Sequence, residues 1–197
     1  MESIRVKAAF PSDKNAFVDV IVRAFSADPV ARWIYPDPHR YSAGFPPLVA
    51  TFFDRACAHG TAYYVNDYAG AALWLPPGVG PDEDALAAAF DRTLPAERRR
   101  AVAELFAEMA GRHPPEPHWY LPLIGVDPAR QRHGYGSILL HQALAACDRE
   151  QKLAYLESSS PASVGLYRRH GFELLGPIRV ADSPPLFPMV RRPRGKR

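Results

Sequence analysis

Gln131, Gly134 and Gly136 stand in the spacing Q-x-x-G-x-G, inside the stretch V-D-P-A-R-Q-R-H-G-Y-G-S from Val126 to Ser137. An apolar run, Leu121 to Val126, reads as a strand leading into it, and Ile138 to Cys147 as an amphipathic helix leading out. Glycines let a backbone approach a ligand closely. The unpaired N–H groups of a first helical turn make an anion site. Arg130, Arg132 and His133 add positive charge. The simplest ligand for such a turn is a pyrophosphate. Two other phosphate motifs are excluded. The dinucleotide fingerprint G-x-G-x-x-G needs a third glycine where this chain has Leu139, and no G-K-S/T closes a phosphate loop.

A second segment follows downstream, L-E-S-S-S-P-A-S-V-G-L-Y-R-R-H-G-F, from Leu156 to Phe172. Lys152 to Ser158 reads as a short strand with Glu157 near its end. A polar turn and a short helix bearing Tyr167 come next. Gly171 can cap that helix, and Phe172 begins a further strand.

In order and distance, Gln131-x-x-Gly134-x-Gly136 and Tyr167-x-x-x-Gly171-Phe172 resemble the GNAT superfamily of acyl-CoA N-acyltransferases. The resemblance is strongest from Trp119 to Phe172. Within the superfamily it is similar to the puromycin-acetylating and related antibiotic- or secondary-metabolite-modifying enzymes. It implies a GNAT fold of the α/β (α+β) class: a mixed, mostly antiparallel central sheet with helices on both faces. Two parallel strands, Trp119–Val126 and Ala154–Ser158, are expected to splay into a V. Pro122 agrees, because proline donates nothing to a ladder and suits a strand whose neighbour is already diverging.

The resemblance also implies acetyl-CoA as the acyl donor and no metal. Backbone groups of Ile124, Gly125 and Val126 are expected to pair with the pantetheine arm. Gln131 and the N–H groups of Arg132, His133, Gly134, Tyr135, Gly136 and Ser137 are expected to hold the pyrophosphate. At Ser163 many members have Asn, which bonds the CoA arm or orients the helix. Serine reaches less far, so this position departs from the family pattern and leaves room for an unusual donor.

Direct transfer needs a neutral amine, a stabilised oxyanion and a proton for the departing thiolate. Tyr167 matches the tyrosine that many GNAT enzymes use as general acid. A phenol near pKa 10 can donate to an alkyl thiolate of pKa about 8.5 to 9 in a dry site. Glu157 is the candidate base, taking the amine proton directly or through water, or simply attracting a cationic amine. His118, with Glu116 nearby, is a weaker candidate on the other strand. For the acceptor, Asp28, Trp33 and Tyr35 lie in an aromatic, mixed-charge loop suited to a flat or amphiphilic amine. Trp119 and Tyr120 alternate faces, so that one enters the core and the other walls the pocket. The alternatives are a protein or peptide amine acceptor, an aminoacyl-tRNA donor, and a non-catalytic acyl-CoA sensor.

The elements that must position these groups follow from periodicity. Ser3 to Ala9 reads as an opening strand and Ser12 to Phe25 as a helix with Ser12 as its N-cap. Asp28 to Pro47 reads as irregular and Leu48 to Ala58 as a helix. Thr61 to Asn66 and Gly70 to Leu75 read as a hairpin, and Asp82 to Arg92 and Pro95 to Arg112 as two helices. In the second of these, Val102, Leu105, Phe106 and Met109 form a stripe read as core rather than as a binding groove. His113 to Pro117 is a Pro-rich linker, and Ile178 to Ala181 and Leu186 to Arg191 close the sheet.

A chain of 197 residues suits one domain, residues 1–190, with a basic tail over residues 191–197. The chain has 24 Lys and Arg against 21 Asp and Glu; taking away the tail's five basic residues leaves 19, a net of −2. The domain itself is therefore not basic, and no basic face with stacking aromatics points to nucleic acid. No apolar run spans a membrane. Two lone cysteines, Cys57 and Cys147, favour a reducing cytoplasm over a disulfide framework. The expected partner is a small-molecule amine, on a monomer or homodimer.

Overall fold

The computed structural model describes residues 4–195. Ser3 of the predicted opening strand and the last two basic residues of the tail lie outside them. Seven strands form one sheet in the order β1-β2-β3-β4-β5-β7-β6. The strands are β1 (Val6–Ala8), β2 (Ala62–Val65), β3 (Gly70–Leu75), β4 (Trp119–Val126), β5 (Ala154–Ser158), β6 (Glu173–Leu174) and β7 (Phe187–Arg191). Every pairing is antiparallel except β4 with β5. The helices are α1 (Lys14–Ala24), α2 (Pro29–Ile34), α3 (Pro38–Ala58), α4 (Glu83–Thr93), α5 (Ala96–Ala110), α6 (Tyr135–Glu150) and α7 (Pro161–Arg169). Helices cover both faces. One apolar core packs α1 to α5 against Leu73, Leu75, Tyr120, Leu123 and Tyr155. The other packs α6 and α7 against Trp74, Trp119, Leu121 and Leu156. Alternate residues of one strand thus feed opposite cores, as the period of two requires.

Three sequence expectations are corrected. The stretch from Asp28 to Pro47 is largely helical, broken at Tyr35–Asp37. Asp28 and Asp37 each stand at an N-cap with proline at the next position, and their carboxylates accept first-turn N–H groups. The prolines read as loop signals therefore start helices. Pro46 and Pro47 lie inside α3, where burial of Phe45, Leu48, Val49 and Phe52 offsets the bonds they forgo. Ser12 is not a cap. It sits in a short 3-10 turn, Pro11–Asp13, and Asp13 instead accepts from the Phe10 N–H at 2.7 Å. Ile178 to Ala181 is not a strand, because it makes a single bridge, Ile178 to Leu186, before turning at Val180–Ser183.

Arg191 does not belong to the tail. It ends β7 with 3 % exposure and binds both carboxylate oxygens of Asp148, at 2.7 and 2.8 Å. Among the described residues, no helix is long and apolar enough to cross a membrane.

Candidate active site

The split in the sheet has a definite origin. Strands β4 and β5 pair in parallel at Trp119–Ala154, Tyr120–Tyr155 and Leu121–Leu156, and then part. On the other edge of β4, Leu121 and Pro122 together oppose the single residue Trp74, a bulge recorded by the register shift between Leu73 and Leu75. The bulge changes which residues face the split. Before it, the Trp119 N–H points toward β5, to Leu153 O at 2.8 Å. Beyond it, the Asp127 N–H points the other way, to Ala69 O at 2.9 Å. Backbone direction alternates along a strand, so Ile124 and Val126 turn their N–H and C=O groups into the gap that β5 has left. Gly125 turns toward β3. Its missing side chain serves packing, since a Cβ there would lie 2.5 Å from Ala24 Cβ on α1.

The chain then reaches the glycine loop. Asp127 caps a short 3-10 turn, Pro128–Arg130, and pairs with Arg23 of α1 at 2.9 Å. The loop is held from within by the His133 ring, whose Nδ1 donates to the Gln131 carbonyl at 2.8 Å. Arg132 has a φ of +66° and Gly134 one of +81°. Gly134 is the N-cap of α6 with no side chain capping it, so the N–H groups of Tyr135, Gly136 and Ser137 are left for an anion. The Ser137 hydroxyl meets His170 Nε2 at 3.1 Å, tying this end of α6 to the end of α7. An uncapped helix N-terminus at the end of a half-paired strand fits the pyrophosphate and pantetheine arm of acetyl-CoA.

The split opens on a cavity of about 320 Å³, the size of a small-ligand site. Its walls include Phe25, Phe45, Phe52, Leu105, Phe106 and Met109, with Ile124 and Ser163 toward the split. Two carboxylates reach it, Asp28 and Glu157, together with the phenols of Tyr120 and Tyr167. Tyr167 is 7 % exposed. Burial, reinforced by the charge of Asp28, pushes its phenol above the ordinary range. Burial raises the Asp28 carboxyl, while the Ser159 hydroxyl and the N–H groups of Ala31 and Val30 oppose that shift.

Glu157 projects from the last turn of β5 with a side chain only 2 % exposed. Its Oε1 is buried and accepts no hydrogen bond among the described residues. The nearest cationic candidate is His113 Nε2 at 3.4 Å. Tyr120 and Tyr155 flank it, and their phenols are pushed up first by burial and then by the Glu157 charge.

The predicted residues therefore divide. Asp28, Tyr120, Ile124, Glu157, Ser163 and Tyr167 meet at the cavity, and residues 131–137 form the loop beyond it. Trp33, Tyr35 and Trp119 do not line the cavity. The Trp33 indole donates to Asp182 at 3.0 Å beneath Arg98. Tyr35 is 1 % exposed and bonds Thr93 at 2.9 Å, in a slot that exists because residue 44 is glycine. Trp119 faces the α6 core and donates to Glu150 at 2.9 Å. Sequence reasoning missed His113, which looked like part of a linker, and read the stripe of Val102, Leu105, Phe106 and Met109 as core, whereas Leu105, Phe106 and Met109 also line the cavity.

Comparison with known proteins agrees with this geometry. Residues 32–172 match the model of the acetyltransferase (GNAT) family. An uncharacterized N-acetyltransferase of Schizosaccharomyces pombe is 28% identical over 98% of this chain and 84% of its own length. Among solved structures, the chain is similar to one described as histone acetyltransferase HPA2 and related acetyltransferase from Corynebacterium glutamicum. That likeness has a TM-score of 0.74, 27% identity and 99% coverage of both chains. Arylalkylamine N-acetyltransferase 2 of Aedes aegypti shares the fold at a TM-score of 0.70 and 14% identity, covering 98% of this chain and 100% of its own. The Drosophila melanogaster polyamine N-acetyltransferase that forms N-acetylagmatine shares it at 0.67 and 12%, covering 96% and 100%. With a matched family model spanning most of its length, a sheet split at β4 and β5, and an open glycine loop on α6, the chain belongs to the GNAT acetyltransferase family.

Proposed function

We propose that this protein transfers the acetyl group of acetyl-CoA to the primary amine of a small, largely apolar molecule. The attack is direct, within a ternary complex. The observation that carries the reading is the buried Glu157 carboxylate on the wall of a cavity lined mostly by aromatic and aliphatic side chains. A buried charge is costly, and an alkylammonium group relieves that cost. The apolar walls favour an aryl or alkyl body over a polycation. The arylalkylamine and agmatine acetyltransferases share the fold and bracket the two possibilities. An antibiotic or biosynthetic amine of the puromycin-modifying kind fits the same description.

Acetyl-CoA would be held by Ile124 and Val126 in the split and by residues 131–137 at the helix N-terminus, and it supplies the acyl group as a thioester. Glu157 takes the proton of the attacking amine. Tyr167 stays a neutral phenol and offers its proton to the leaving sulfur. Water is kept from both by the aromatic walls. The two cysteines are free thiols, which supports a cytoplasmic setting for the reaction.

Two measurements test the reading. Thermal unfolding is followed with CoA and acetyl-CoA, and thiol release with acetyl-CoA is followed over a panel of arylalkylamines, alkylamines and polyamines. The expected result is stabilisation by both CoA species and release with apolar amines. Absence of a thermal shift, or release only with polyamines, overturns it.

A further inference from the structure

Glu157 has taken up the amine proton at the end of each turnover and must lose it again. Its side chain is 2 % exposed, and in the proposed reaction the amine occupies the cavity in front of it. The route out lies behind it. His113, in the loop between α5 and β4, brings Nε2 to 3.4 Å from Glu157 Oε1, and its side chain is 22 % exposed. Its Nδ1 meets His118 Nε2 at 3.0 Å, and His118 Nδ1 meets the Glu116 carbonyl at 2.8 Å.

The chain of contacts has only one arrangement of protons when both rings are neutral. A carbonyl only accepts, so His118 Nδ1 carries a hydrogen. His118 Nε2 is then an acceptor, and His113 Nδ1 must be the donor. His113 Nε2 is left with a lone pair, 3.4 Å from Glu157 Oε1. Burial lowers the pKa of His118, which keeps that ring neutral and its tautomer set.

We infer that His113 takes the amine proton from Glu157 and releases it to solvent, with His118 and the Glu116 carbonyl fixing the tautomer that allows it. The inference rests on the acetyl-transfer reading for the source of the proton. In the step, the O–H bond of protonated Glu157 breaks and an N–H bond forms at His113 Nε2. Glu157 returns to the carboxylate, the imidazolium keeps its Nδ1–H on His118, and the Nε2 proton passes to water, which reaches the ring through its 22 % exposure. The groups facing His113 are few. Tyr120 on β4 lies 4.5 Å and Tyr155 on β5 lies 4.4 Å from its ring, centre to centre. Glu157 and His118 face it as well, with Arg112 as its chain neighbour. Both phenols hold their protons and do not compete. His113 and His118 are positioning residues, since both act through Glu157.

Two arms test this. In the first, enzyme labelled with ¹⁵N-histidine is examined by NMR without any substrate, with His113→Asn and His118→Asn assigning the signals. The expected result is neutral rings protonated at Nδ1 on both His113 and His118. A neutral His113 protonated at Nε2 overturns the inference. In the second, His113→Asn is expected to lower kcat about tenfold to a hundredfold at neutral pH. KM for acetyl-CoA should hold, the loss should shrink as pH rises, and no loss should be added in a Glu157→Gln background. Wild-type kcat in His113→Asn, or a loss independent of pH that adds to Glu157→Gln, overturns it. If the wild type releases no thiol with any amine, the acetyl-transfer reading fails and the NMR arm decides the proton arrangement by itself.

Discussion

The hydroxyl of Ser159 donates to the carboxylate of Asp28, joining the start of α2 to the loop that follows β5. The other oxygen of Asp28 accepts the N–H groups of Val30 at 3.0 Å and Ala31 at 2.9 Å. One side chain therefore caps a helix, closes the mouth of the split and adds negative charge beside Tyr167.

Asp28→Ala is expected to cost about 1 to 2 kcal/mol of stability, the range for losing an N-cap. Asp28→Asn should keep most of the cap. The pH dependence has a definite sign. Burial raises the carboxyl of Asp28 in the folded protein, so the folded state binds a proton that the unfolded chain has released. The charge therefore weighs against folding above the unfolded value of 3.8, and stability from this group rises as pH falls through the folded pKa. Urea unfolding at pH 4 and pH 7 should show Asp28→Asn gaining on the wild type at the higher pH. A difference that is the same at both values contradicts the account.

Asp148 behaves in the opposite way. The Arg191 guanidinium that binds it, helped by the Arg194 N–H, holds its carboxyl below the usual range. Its stabilising contribution is present above pH 3.8 and is lost as pH falls through the folded value. Asp148→Ala leaves Arg191 buried without its partner, and the expected loss is about 3 kcal/mol. Acid titration followed by circular dichroism should unfold the variant at higher pH than the wild type. Equal acid midpoints would sink this reading.

Gly125 tests packing against ligand binding. Its position in the strand invited a donor-binding role, but its backbone faces β3 and a Cβ would collide with Ala24. Gly125→Ala should destabilise by about 1 to 3 kcal/mol through overpacking, and Ala24→Gly should restore part of that in the double variant. Unaltered stability with weakened CoA binding would return Gly125 to the donor site.

These residues mark how far the sequence could be read. The glycine loop was legible from its own residues, through the φ sign that Gly134 permits, and Pro122, with no N–H to donate, agreed with a split, while the split itself and the roles of Glu157 and Tyr167 rested on the family resemblance. The region from Asp28 to Pro47 was not, because its prolines stand at helix starts and only tertiary burial keeps Pro46 and Pro47 helical. Trp33 and Tyr35 were misplaced for the same reason, since whether an aromatic ring lines a pocket or plugs the core depends on partners such as Asp182 and Gly44. His113 carried no signal at all. Its position five residues before His118 becomes meaningful only when the loop folds over β5.

The phenol of Tyr167 gives a prediction that separates chemistry from architecture. Its hydroxyl has no hydrogen-bond partner among the described residues that a phenylalanine would leave stranded, so Tyr167→Phe should unfold at nearly the wild-type temperature. Its ring still packs edge-on against Phe172, 6.0 Å between centres. kcat should fall by about a hundredfold, the usual contribution of a general acid. Because burial and Asp28 raise the phenol above its ordinary range, the donor stays protonated throughout neutral pH. The wild-type rate should therefore show no loss from this group as pH rises toward 10. A variant with wild-type kcat assigns proton delivery to another donor.

The cavity wall and the misplaced aromatics can be compared in a single assay. Phe106 lines the cavity, whereas Trp33 lies outside it with its indole bound to Asp182. Phe106→Ala should enlarge the cavity and shift preference toward bulkier amines. The gain in kcat/KM for a substrate longer by one or two methylenes should be about fourfold to fifteenfold, since each buried methylene is worth about 0.8 kcal/mol. Trp33→Phe keeps the ring and loses only the indole donor, so it should lower stability without moving the order of preferred amines. The opposite pattern, specificity altered by Trp33→Phe and untouched by Phe106→Ala, would put the acceptor on the α2 loop, where the aromatic residues of the sequence first suggested it.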